Sequence, residues 1–181
     1  MTKTFRGKLE IVRGNILEQD VDFLVNSAHP SLLAGGGVSG AIHRAAGPEL
    51  EKAARPLGPL KPGQAAITPG FNLKAKFVIH AVAPRYHEFQ QDPTFRRELL
   101  LQTYTYALEL AVSQLAKDQR LGHASIAFPS MGTGIYGWPL EEAAEIAVNA
   151  LWNGPRIDIY IVAFDETTAA AYEKAVLSYG S

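Results

Sequence analysis

The stretch Val25-Asn26-Ser27-Ala28-His29-Pro30-Ser31-Leu32-Leu33-Ala34-Gly35-Gly36-Gly37-Val38-Ser39-Gly40-Ala41-Ile42-His43-Arg44-Ala45-Ala46-Gly47 decides how the rest of the chain is read. It begins as the end of a buried strand, passes through a loop and three consecutive glycines, and opens a helix from Val38 to Ala46. Three glycines in a row add nothing to packing and lose more conformational freedom on folding than any other residues. A chain keeps them where the backbone takes unusual dihedrals or lies against something very closely. The first N–H groups of the following helix are unpaired and point back at the glycines, an arrangement that receives an anion, most often a phosphate.

Working outward, 181 residues are enough for one domain with a full core and short for two, so residues 1–181 are expected to form one domain. Hydrophobic residues are 47% and charged residues 19%, a globular composition. With a net charge of -1, no basic field exists for sequence-independent nucleic-acid binding, so an anionic ligand must be held by backbone amides. The absence of cysteine excludes disulfides, thiolate metal sites and a cysteine nucleophile. No apolar run approaches the roughly 20 residues of a membrane helix. The N-terminus lacks the apolar core of a signal peptide, and a cytoplasmic protein is the default expectation.

The patterning predicts strands at 5–13, 22–26, 64–68, 76–82, 125–128 and 157–164. Helices are predicted at 38–46, 48–55, 94–120, 140–152 and 167–178, with a proline-rich loop at 57–63. In the longest helix, Leu99, Leu100, Tyr104, Leu108, Ala111, Val112 and Leu115 recur at three-to-four spacing. Pro139 suits the first turn of its helix, and Asp165 suits the cap of the last one. Short Val/Ile-rich strands alternating with helices predict a three-layer α/β/α sandwich with a central mixed sheet.

A second glycine loop, Pro129-Ser130-Met131-Gly132-Thr133-Gly134-Ile135-Tyr136-Gly137, follows the fifth strand. Both loops formally match Gly-x-Gly-x-x-Gly: Gly35, Gly37, Gly40 and Gly132, Gly134, Gly137. The first lacks the context of a dinucleotide fingerprint, since its strand ends too early and no acidic residue follows on a strand about 20 residues on. The second has Asp158 at about that spacing, yet only one strand remains behind it, too few for a second mononucleotide half. An NAD-dependent oxidoreductase is therefore the weaker alternative. The lysine-bearing nucleotide loop is absent. Two glycine loops leaving the carboxyl ends of buried strands can grip a diphosphate from both flanks.

At this point the residues resemble a known family. Val25-Asn26-Ser27-Ala28-His29, followed by Gly35-Gly36-Gly37-Val38-Ser39-Gly40-Ala41-Ile42-His43, resembles the macrodomain signature and its MacroD-like branch in particular, Val-Asn-Ala-Ala-Asn then Gly-Gly-Gly-Val-Asp-x-Ala-Ile-His. Arg13-Gly14-Asn15-Ile16, residues 63–84, Ala127-Phe128-Pro129 through Pro139, and Phe164-Asp165-Glu166 are similar to family segments in order and spacing. The resemblance spans essentially the whole chain and implies ADP-ribose, or a mono-ADP-ribosyl group, as ligand. It implies that Asn15 and Ile16 face the adenine and that Phe164 stacks on it. Gly35, Gly36, Gly37 and Val38, with Met131, Gly132, Thr133, Gly134 and Ile135, are implied to line the diphosphate. Asn26 and Tyr136 are implied to bound the distal ribose.

The departures from the family pattern bear on chemistry. Asn15 replaces an aspartate at the adenine and accepts without charge. His29 and Ser39 stand where the hydrolytic branch has a ribose-orienting asparagine and a water-activating aspartate. A serine is no general base near pH 7, whereas an imidazole titrates in that range, so His29 is a candidate for either a ribose contact or proton transfer. His43 and His80 fill positions where the family also has histidine and are expected to be structural, and Met131 and Trp138 are expected to pack beside the second loop. No His-Glu-x-x-His or similar metal spacing exists, and neither a cofactor nor a metal is expected. Two versions remain open: an ADP-ribosyl or O-acetyl-ADP-ribose hydrolase with weak or altered activity, and a non-catalytic ADP-ribose reader.

Overall fold

The computed structural model describes residues 7–120, 123–152, 154 and 157–180. Six strands are present: β1 Leu9–Arg13, β2 Phe23–Ser27, β3 Ala65–Pro69, β4 Phe77–Ala81, β5 Ser125–Pro129 and β6 Asp158–Ala163. They form one mixed sheet in the order β1-β6-β5-β2-β4-β3. All neighbours are parallel except β3, which runs antiparallel to β4 at one edge. Five helices complete the fold: α1 Gly37–Ala46, α2 Pro48–Ala54, α3 Pro93–Lys117, α4 Leu140–Trp152 and α5 Glu166–Gly180.

The period-2 alternation of the strands splits the core into two layers. Phe23, Val25, Ile79, Ile126, Phe128, Ile159 and Ile161 point to the face covered by α3, α4 and α5. Leu24, Val78, Ala127 and Val162 point to the opposite face, where Ile42 and Ala46 of α1 and Leu50 of α2 cover them. The central strands are buried on both faces, which is why they read as continuous apolar runs rather than as alternation. The expected α/β fold with a mixed sheet is therefore the one observed.

Differences from the sequence expectation lie at element ends. Phe5 and Arg6, expected to open the first strand, lie outside the described residues. Helix α3 ends at Lys117 rather than Arg120, because Gln119 takes a left-handed backbone (φ 50) that no helix continues. After α2 the chain makes one further 3-10 turn, Arg55–Leu57, since Pro56 sits at a turn start where its missing N–H is harmless. Asp92 caps α3 by accepting from the Phe95 N–H at 3.0 Å, and Asp165 caps α5 by accepting from the Thr168 N–H at 2.8 Å.

At the amino edge of the sheet, Asp22 ties the central strands together. Its carboxylate accepts from the Ser125 N–H at 2.9 Å and pairs with Arg120, with the Lys76 ammonium at 3.9 Å. Burial pushes this carboxyl up, but the Arg120 and Ser125 hydrogen bonds outweigh it and hold it below the usual range. Asp22→Ala strands the Ser125 amide and is expected to cost about 2 kcal/mol, read as a lower urea midpoint at unchanged slope.

Candidate functional site

Strands β2 and β5 are hydrogen-bonded neighbours. The chain leaving β2 turns to α1 on one face of the sheet, and the chain leaving β5 turns to α4 on the other. Adjacent parallel strands whose exits part to opposite faces leave a crevice at their carboxyl ends, the place where α/β sheets bind ligands. Both glycine loops border it.

The first loop is fixed from behind. The Ala28 N–H donates to the Ala81 carbonyl at 2.9 Å, buried Leu32 anchors the turn, and the Ala34 N–H donates to Glu51 Oε1 on α2 at 3.1 Å. Gly40 lets α1 approach: a Cβ there would stand 2.4 Å from the Gly35 carbonyl oxygen. Gly36 is the N-cap of α1 and offers no side chain to its first-turn amides.

Some glycines in the two loops have no such reason. Gly36 has an ordinary extended backbone (φ -87), and an added Cβ would meet nothing within 4 Å. Gly134 is outside the positive-φ set and equally open. Neither backbone strain nor packing demands glycine at these two positions. Close approach of a ligand to the backbone is the remaining use of a missing side chain.

The second loop is held from beneath by two buried tyrosines. The Met131 N–H donates to the Tyr104 hydroxyl at 3.0 Å, and the Ser130 hydroxyl lies 2.8 Å from both the Tyr172 hydroxyl and Thr133 Oγ1. Burial pushes both phenols above their ordinary range, so they stay protonated. From the side, Trp138 Nε1 donates to the Pro84 carbonyl at 2.9 Å, and the Tyr86 N–H donates to the Tyr136 carbonyl at 2.8 Å. The Arg96 guanidinium, from α3, stacks 3.8 Å over Tyr86 and donates to its carbonyl at 2.7 Å. Arg96, Tyr104 and Tyr172 position the loop and escaped the sequence reading, because nothing in helical periodicity separates a core tyrosine from one that holds a loop.

The expected site residues take distinct places. Asn26 is buried; its Nδ2 donates to His80 Nδ1 at 3.4 Å, while its Oδ1 has no protein partner. His80 in turn donates from Nε2 to Thr68 Oγ1 at 3.0 Å. Burial, and secondarily the His43 ring 6.2 Å away, lower the His80 pKa to about 4, and burial lowers that of His43 too. Both histidines are neutral at pH 7.

His29 is exposed on the loop after β2. Its Nδ1 accepts from the Ser31 N–H at 3.1 Å and lies 2.8 Å from Ser31 Oγ. A nitrogen that accepts from a backbone N–H carries no proton, so the neutral ring bears its hydrogen on Nε2. The free nitrogen of His29 is thus a donor. Ser39 Oγ, on the first turn of α1, is buried without a partner.

At the far end, Asn15 Oδ1 accepts from the Leu17 N–H at 2.9 Å and caps a 3-10 turn, while Ile16 packs into the core. Phe164 is 87% exposed and Ile135 97% exposed, unusual for large apolar side chains. Val38 is exposed, Thr133 is tied to Ser130, Gly132 abuts Trp138, and Met131 is wholly buried. Gly35 and Gly37 lie on the open face of the first loop. Among the described residues no group of three or more His, Asp or Glu could hold a metal ion.

Comparison with known proteins identifies the family to which this fold belongs. The Macro domain model matches residues 25–147, and the chain belongs to that family. The O-acetyl-ADP-ribose deacetylase of Klebsiella pneumoniae (strain 342) is 42% identical over 179 residues, covering 94% of this chain and 97% of that protein. Among solved structures, a variant of the Oceanobacillus iheyensis macrodomain with ADPR superposes with a TM-score of 0.84 at 38% identity, covering 99% of this chain and 97% of that one. The Trypanosoma brucei macrodomain in complex with ADP-ribose gives 0.79 at 32% identity, covering 93% of this chain and 68% of that one.

The buried histidines predict an acid response of defined sign. Between its ordinary value of 6.5 and about 4, the unfolded chain takes up a proton that folded His80 refuses. Its contribution to stability is therefore full above pH 6.5 and lost as the pH falls toward 4, by at most about 3 kcal/mol. Glu51 faces His43 and opposes its shift. Urea midpoints at pH 7.5 and 4.5 are expected to differ less for His80→Gln than for the parent chain.

Proposed function

We propose that this protein binds ADP-ribose, free or as a mono-ADP-ribosyl group, and slowly hydrolyses esters on its distal ribose, with O-acetyl-ADP-ribose as the model substrate. The observation that carries this function is the pair of facing glycine loops, with Gly36 and Gly134 open where neither fold nor packing requires it. In this arrangement the diphosphate lies between the loops and receives backbone N–H groups of Gly35 to Val38 and of Gly132 to Ile135. Tyr136 and Asn26 bound the distal ribose, whose hydroxyl satisfies the partnerless Asn26 Oδ1. Phe164 stacks on the adenine, which accounts for its exposure. Asn15 spends one acceptor lone pair on its turn, so it selects adenine weakly. The chain acts as one domain in the cytoplasm.

Hydrolysis adds water to the ester carbonyl, breaks the bond between that carbon and the ribose oxygen, and releases ADP-ribose and the acid. The water sits between the distal ribose and the ligand's own diphosphate, which orients it. Neither replaced position supplies a strong base: Ser39 is a hydroxyl, and His29 has committed its unprotonated nitrogen to Ser31. His29 serves instead as a donor, through Nε2–H, to the ribose or the ester oxygen. Slow turnover follows from the missing base.

Two variants test this separately. Gly134→Val is expected to leave the melting temperature within a few degrees of the parent while weakening ADP-ribose binding about tenfold, measured by calorimetry. A side chain that left affinity unchanged would show that no ligand approaches there. His29→Gln, which keeps a donor and removes the imidazole, is expected to hydrolyse O-acetyl-ADP-ribose within about threefold of the parent rate at pH 7. A loss of a hundredfold or more would make His29 the proton acceptor.

A further inference from the structure

Beside the crevice lies a hollow of about 660 Å³ that shares Ile135 and Tyr136 with the proposed ADP-ribose site and extends beyond the other contacts of that site. Its walls include Pro30, Leu60, Lys61, Arg85, His87 and Tyr136, drawn from four separate loops. It is continuous with the distal end of the proposed site. Pro30 follows His29 directly, and the Arg85 guanidinium sits 5.1 Å over the ring of Tyr136, which bounds the distal ribose. A volume of this size suits a group of tens of atoms and is far larger than an acetyl substituent requires.

The charges around it are arranged for an anion. Lys61 and Arg85 are exposed, and neither pairs with a carboxylate among the described residues. His87 accepts from Gln90 Nε2 through Nδ1 at 3.0 Å, which leaves its Nε2–H as a donor. Glu88 is the acidic residue in the wall and offsets one of the two cations. The remaining lining is largely proline and aliphatic side chain. Two isolated cations on an apolar floor do not make the extended basic stripe that a nucleic-acid backbone requires, and the chain as a whole carries a net charge of -1. They do match a short polypeptide with a carboxylate next to a small apolar side chain.

Resting on the ADP-ribosyl-binding function above, we propose that this hollow is the acceptor subsite, that it seats the polypeptide to which the ADP-ribose is attached, and that Lys61 and Arg85 select acceptors with an acidic residue beside the modified one. Lys61 approaches from the loop before β3 and Arg85 from the loop after β4, so the acceptor chain lies across the hollow with its carboxylate between them. Each exposed ion pair contributes modestly and is screened by salt, so the preference is several-fold rather than absolute.

The test uses two peptides that carry ADP-ribose through a hydrolysis-resistant linkage, one with glutamates flanking the modified residue and one with glutamines. Calorimetry at low salt is expected to give about three- to tenfold tighter binding of the glutamate peptide by the parent protein. In Lys61→Glu that ratio is expected to fall to one or below while affinity for free ADP-ribose stays within twofold, because Lys61 lies outside the diphosphate and ribose contacts. Arg85→Gln is expected to lower the same ratio. A ratio of one in the parent, or a ratio that Lys61→Glu does not change, overturns the subsite. Tighter binding of an ADP-ribosylated oligonucleotide phosphate than of the glutamate peptide overturns the acceptor class. Failure of the parent to bind free ADP-ribose is a different result: it removes the ADP-ribosyl-binding function on which the subsite depends.

Discussion

The parallel pairing of β2 with β5 is the constraint on which the molecule depends. These strands are about a hundred residues apart in sequence, and between them the chain builds α1, α2, β3, β4 and α3. Their pairing sets the two glycine loops side by side and sends the chain to opposite faces of the sheet. A crevice follows from topology alone, before any side chain is placed in it. Asp22 secures the amino end of this pairing, through a carboxylate that reaches the first residue of β5.

Around the crevice, rigidity and openness are distributed unequally. The loops are fixed at their bases by buried groups: Glu51 under the first loop, Tyr104, Tyr172 and Trp138 under the second. Their tips carry glycines with free space around them and apolar side chains in water. A fold gains nothing from Ile135 and Phe164 standing almost fully exposed, and it would tolerate a side chain at Gly36 or Gly134. Such features are consistent with surfaces completed by a ligand. In the proposed function, preorganised amides hold a diphosphate without a lysine cluster, in keeping with a nearly neutral chain.

Much of this was legible in the sequence because the relevant signals are local. Val25 and Asn26 before a glycine run, Ser125 to Phe128 before another, and Pro139 at a helix start each fix an element and its exit. What escaped is the long-range support. Arg96 reads as one more polar residue on a helix, yet it stacks on Tyr86 and braces the second loop. The His29 ring reads as a possible base from its type alone. Only the Ser31 amide, two residues away, determines which nitrogen is left for a ligand. Element ends were displaced by a few residues where one backbone dihedral, as at Gln119, decides the stop.

The central claim is that two amide-lined loops at the β2–β5 switch hold ADP-ribose. Its most direct test is calorimetric titration of the parent protein with ADP-ribose, AMP and NAD under one set of conditions. The account predicts micromolar binding of ADP-ribose with AMP and NAD much weaker, because AMP has no second phosphate to bridge the loops and NAD carries a cationic nicotinamide in place of the hydroxyl on its distal anomeric carbon. Absence of ADP-ribose binding, or equal binding of all three, would contradict it.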